Sequence, residues 1–145
     1  MHTLLIFGWI FAAMIATSFW ESCAEGRNSW SKGKAGWKFK FLGYEHTAYH
    51  FYLFWVMFPL LLTLPFIIFG WNLHYFGVVA SAYLIGLSVE DFFWYVVNPE
   101  VKFRELYTNF SDYYPWLKIR GRKIVPLGYI ITLIPAVLFW YFLWR

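Results

Sequence analysis

Charge is scarce in this chain, and cysteine is nearly absent. Only 14% of its 145 residues are Asp, Glu, Lys or Arg, whereas a soluble domain carries about a quarter. Its single cysteine, Cys23, excludes an intramolecular disulfide and a thiolate metal cluster within one chain. No Lys or Arg precedes the first apolar block, and the connection around Gly70 and Trp71 carries no charge. Internal repeats, low-complexity tracts and a polar stretch long enough for a soluble domain are all missing. So is the strict zinc-hydrolase spacing His-Glu-x-x-His.

What the chain does have is apolar. Hydrophobic residues make up 61% and aromatics 26%. They fall into four blocks, Thr3–Trp20, Ala48–Phe69, Asn72–Val97 and Ile124–Trp144, each near the roughly 20 residues that cross a bilayer as a helix. The expected fold class is an all-α membrane protein. It would be a single domain over residues 1–145, with spans at about 3–20, 48–69, 72–97 and 124–144.

The net charge of +4 reads as topology rather than as nucleic-acid binding. Arg27, Lys32, Lys34, Lys38 and Lys40 fill the first loop; Lys102, Arg104, Lys118, Arg120, Arg122 and Lys123 fill the third. The positive-inside rule puts both loops in the cytoplasm and both termini outside, in a membrane expected to be a prokaryotic inner membrane. The first block lacks the basic leader of a signal peptide, so it reads as a retained span.

Local signals refine the spans. Gly8, Ala12 and Ala16 recur every four residues in the first block, a spacing that lets helices approach closely. Packing against another helix of the same chain is the favoured reading, and self-association the other. In the third block Gly77 with Ser81 and Ala82 with Gly86 mark a central, tightly packed helix. Pro59, Pro65 and Pro135 predict bends. Asn98–Pro99 predicts an N-cap and first helical turn, hence a short interfacial helix from Pro99 to about Asn109 between the third and fourth spans. Trp30 and Trp37 among the glycines and lysines of the first loop suit the headgroup region.

Glu90 and Asp91 stand side by side inside the third block. Ionisable groups at membrane depth point to function. If the second and third spans form a tight hairpin about Gly70, His50 lies level with Glu90, each 20 residues from the turn. His46 would lie one helical turn away on the same face, with Glu45 beside it. Two imidazoles and up to three carboxylates suit zinc, iron or manganese. The expected metal residues are therefore His46, His50, Glu90, Asp91 and Glu45. The competing expectation is a polar cluster satisfied by ion pairs and hydrogen bonds, with a proton path as a third. A haem or chlorophyll ligand at His50 or His74 is conceivable chemically, but no spacing favours it.

The run Glu90-Asp91-Phe92-Phe93-Trp94-Tyr95-Val96-Val97-Asn98-Pro99 resembles an E-D-F-x-W-aromatic-x-x-N-P segment of small, uncharacterised polytopic membrane proteins of prokaryotes. The resemblance covers this helix end only and implies no activity.

Two functions from different classes follow. The first is a metal-binding membrane protein, extended to a metal-dependent enzyme acting on a lipid or other hydrophobic substrate. The second is an accessory subunit of a larger membrane complex, whose partners are lipids and other membrane chains.

Overall fold

Four apolar helices able to span a membrane dominate the structure, a computed structural model that describes residues 2–27, 36–41 and 43–145. Trp30, Lys32, Gly33 and Lys34 of the first basic loop lie outside the described residues. The helices are α1 (His2–Glu25), α2 (Ala48–Phe69), α3 (Leu73–Val97) and α4 (Leu127–Trp144). Two antiparallel hairpins accompany them: β1 (Lys38–Phe41) with β2 (Tyr44–Thr47), and β3 (Trp116–Ile119) with β4 (Arg122–Pro126). The chain divides into two compact units, one of Met1–Ser29 with Leu73–Arg145 and one of Trp30–Asn72.

In the first unit, α3 is central because its small residues admit neighbours on two sides. A Cβ added at Gly86 would stand 2.9 Å from Met14 Cγ on α1, and one added at Gly77 would stand 2.6 Å from Leu143 Cβ on α4. Hydrogen bonds then fix each approach. Ser18 Oγ donates to the Glu90 carbonyl at 2.7 Å and Asn98 Nδ2 to the Gly26 carbonyl at 2.9 Å, both across an offset of 72 residues. Met14 and Gly86 share that offset, so α1 and α3 run parallel and in register. On the other side the pairing is antiparallel: Gly77 meets Leu143 while Asp91 meets Tyr129. Ser81 Oγ donates to the Ala136 carbonyl at 3.0 Å and accepts from Trp144 Nε1 at 2.9 Å. Ser88 and Thr132 hydroxyls join at 2.8 Å. Such interhelical bonds contribute about 0.6 to 2 kcal/mol each in a bilayer.

The expected small-residue contact of α1 goes the other way. Its buried stripe carries Ile10, Met14, Ser18 and Ser22, whereas Gly8, Ala12 and Ala16 are exposed, and a Cβ at Gly8 would meet nothing within 4 Å. Within the first unit, that face is left unpacked.

In the second unit the polar stretch expected to be a loop forms β1 and β2. Ala48 N then donates to the Trp37 carbonyl at 2.9 Å as α2 begins. Thr47 caps α2, its hydroxyl accepting from His50 N at 3.3 Å. Pro59 cannot donate to Trp55 four residues earlier, and Phe51–Met57 widens into a π-helical stretch before α-helix resumes at Phe58.

The segment after α3 also departs from expectation. Residues 99–101 are bent rather than helical, and Phe103–Tyr107 and Asn109–Ser111 are 3-10 turns. The Asn98 side chain does make capping contacts, its Oδ1 accepting from Glu100 N at 2.9 Å and Val101 N at 3.2 Å while its Nδ2 donates to the Gly26 carbonyl. No α-helix follows them, because Lys102 is extended (φ −82°, ψ 141°) and starts a 3-10 turn instead.

A branched side chain at the α1–α3 contact should break it. Gly86→Val is expected to lower stability in detergent by about 1 to 3 kcal/mol, read by denaturant unfolding. Gly8→Val, in open space, should leave the midpoint unchanged; equal losses in both would refute this register.

Candidate functional site: a polar layer at one end of the first unit

The C-terminal ends of α1 and α3 and the start of α4 meet at one end of the first unit. There the polar side chains gather. Asp91 Oδ2 accepts from the Tyr129 hydroxyl of α4 at 2.8 Å, and Asp91 Oδ1 accepts from the Tyr114 hydroxyl. Burial, and after it the Asp91 charge, pushes the Tyr114 phenol well above its ordinary value, so Tyr114 stays a donor. The Tyr95 and Tyr113 hydroxyls bond to one another, and the Tyr113 ring lies 4.4 Å from that of Tyr114. Two carboxylate oxygens and four phenols thus form one connected set.

Beside it lies an acidic group the sequence reading did not single out. Helix α1 runs on to Glu25 and buries Glu21, Ser22 and Glu25 on the face it turns to α3. Glu90 is buried against them, with Glu21 and Glu25 both near enough to act on it through their charge. A signal was present: Ile10, Met14, Ser18 and Ser22 repeat every four residues, and Glu21 and Glu25 extend that face.

The layer is closed off by an ion-paired clasp. Arg27 follows Gly26, whose positive φ of 57° ends α1. Its guanidinium pairs with Glu105, donates to the Glu100 carbonyl at 2.9 Å and lies 4.9 Å from the Phe110 ring centre. Its backbone N–H donates to Glu100 Oε2 at 3.0 Å. Lys123 of β4 pairs with Asp112 at 2.9 Å and lies over the Trp116 ring.

The remaining residues expected at a metal belong to the second unit. Glu45 pairs with Lys38 across the hairpin at 3.2 Å. His46 lies on β2, stacked on Phe39 with ring centres 5.2 Å apart. Burial, with the nearby His50 adding to it, holds the His46 imidazole below its ordinary value. His50 lies on α2, its Nδ1 2.6 Å from the Thr47 hydroxyl. Because helix begins only at Ala48, the two histidines do not share a helical face. The pairing of β2 with Lys38–Phe41 is the reason. Among the described residues, no group of three or more His, Cys, Asp or Glu side chains is placed to hold one metal ion. Glu90 and Asp91 are adjacent in sequence yet point to different partners, α1 for the first and Tyr114 with Tyr129 for the second.

Compared with protein-family models, curated proteins and solved structures, the chain matches none.

The clasp carries a pH dependence of known sign. The Arg27 guanidinium, followed by the Lys102 backbone N–H, holds the Glu105 carboxyl at about 2, below its ordinary 4.5. A carboxyl lowered by folding stabilises fully above its unfolded value and stops doing so as pH falls through the folded one. Hydrogen-exchange protection at Lys102 N–H, which donates to Glu105 Oε1 at 3.0 Å, should therefore fall as pH drops from about 4.5 to about 2. Glu105→Gln should flatten that dependence, and added salt should weaken the exposed pair. Unchanged protection across this window would remove the clasp from the account.

Proposed function

We propose that this integral membrane protein is an accessory subunit, joining another membrane chain through the small-residue face of α1. The observation that carries the reading is the unused stripe Gly8, Ala12 and Ala16. It is exposed along its length, and Gly8 faces open space. The corresponding small residues of α3 are consumed by packing within the chain. Without a hydrophobic force between helices in lipid, close approach of small residues is what drives association. An open stripe at this spacing offers that approach to a helix from outside.

Other features support the same reading. Helix α2 buries only His50, Leu53 and Phe66, and α4 only Ala136, so their flanks are left to lipid or to another chain. Large aromatics stay outward, Trp9, Trp55 and Trp71 among them. The polar side chains described above bond chiefly to one another. Orientation follows the positive-inside rule, with the polar layer and both basic loops on the cytoplasmic face.

The metal reading on Glu45, His46, His50, Glu90 and Asp91 makes the opposite forecast, and one preparation decides between them. Extracted in mild detergent, the protein is expected to travel with a second chain or a second copy at fixed ratio. Gly8→Leu with Ala12→Leu should release it. Elemental analysis of the same sample should find no stoichiometric zinc, iron or manganese. A lone monomer by native mass spectrometry, or one equivalent of metal lost in His50→Ala with Asp91→Ala, would overturn the accessory reading.

A further inference from the structure

The α1–α3 contact encloses a carboxyl group that the packing alone does not complete. Glu90 is 6% exposed, Glu21 3% and Trp94 5%. Glu21 lies on the buried face of α1, one turn beyond the Ser18 that bonds the Glu90 carbonyl, so the two buried carboxyls share one seam. Two neighbouring carboxylates withdrawn from water disfavour double ionisation, which favours one proton held by the pair. Glu90 Oε1, buried from solvent, has no hydrogen-bond partner among the described residues. Neither has the indole Nε1–H of Trp94, also buried.

These two atoms are complementary. Trp94 follows Glu90 by four residues, one turn along the same face of α3. The 72-residue offset that joins Ser18 to Glu90 and Gly26 to Asn98 places Ser22 level with Trp94. One atom only accepts and the other only donates. Each is costly if left unmet in a buried site. A bare cation would satisfy the carboxylate and repel the indole N–H. A small molecule that donates and accepts satisfies both, and water is the smallest that does.

We propose that Glu90, Glu21 and Trp94 form a proton-binding site that holds one exchangeable proton between the two carboxyls and one water between Glu90 Oε1 and Trp94 Nε1. Uptake forms an O–H bond on one carboxyl and leaves its partner ionised. Release returns that proton to water and leaves two facing carboxylates, which repel across the α1–α3 seam. The groups that act on Glu90 are Glu21 and Glu25 from α1, Tyr129 from α4, and Tyr83 and Asp91 on α3 itself. Because Ser18 grips the Glu90 backbone in the same turn, loading the site bears on the seam that joins the two helices. The site is independent of the small-residue stripe, which lies on the exposed face of α1.

Infrared spectroscopy of the full chain in lipid nanodiscs tests the proton. A protonated-carboxyl C=O band is expected at neutral pH, shifted by D2O and lost in both Glu90→Gln and Glu21→Gln. Absence of the band in the unaltered protein, or its survival in both variants, overturns the proposal. Fluorotryptophan labelling tests the water-linked half and needs no carboxyl variant to fold. The resonance lost in Trp94→Phe is that of Trp94. It should move with pH as the site empties and shift between H2O and D2O. A Trp94 resonance indifferent to both refutes the site.

Discussion

The close approach of α1 and α3 at Met14 and Gly86 is the constraint on which the first unit depends. A Cβ at residue 86 would stand 2.9 Å from Met14 Cγ, so glycine there leaves room for the Met14 side chain against α3. Two parallel helices held that closely must keep one register, and the Ser18 and Asn98 hydrogen bonds share its 72-residue offset. Everything at the polar end inherits its position from this seam: Glu21 and Glu25 against Glu90, Gly26 against Asn98, and Arg27 within reach of Glu100 and Glu105.

The seam also explains how acids are tolerated next to apolar spans. Asp91 turns toward α4 and the segment before β3, where two phenols donate to it. Glu90 turns toward α1, where another carboxyl meets it. One helix therefore divides its two adjacent acids between two neighbours of different chemistry. The phenols bond to Asp91 and to one another, while Glu90 Oε1 and Trp94 Nε1 have no hydrogen-bond partner among the described residues.

Several features were legible before any coordinates. The four apolar blocks become α1 to α4 with ends shifted by a few residues, because length and hydropathy alone decide whether a helix suits a bilayer. Gly77, Ser81, Ala82 and Gly86 mark α3 as the central helix, as found. The acids at Glu90 and Asp91 stood out as anomalies in an apolar run. Less legible were the hairpins at Lys38–Thr47 and Trp116–Pro126. Their strands are short and amid lysines, where neither period is strong enough to declare itself. Expecting His46 on a helix followed from missing the first of them.

Sequence by itself determined that this chain belongs in a membrane, how many times it can cross, and that α3 carries both its closest contacts and its strangest charges. These follow from composition and period, which need no partner to be read. Tertiary structure decided which face of α1 is buried, which acid meets which neighbour, and that Glu21, Glu25, Tyr114 and Tyr129 belong to the polar layer. Residues 72 apart in the chain become neighbours only when glycine lets two helices touch, and no local pattern in either helix states which other helix it will touch.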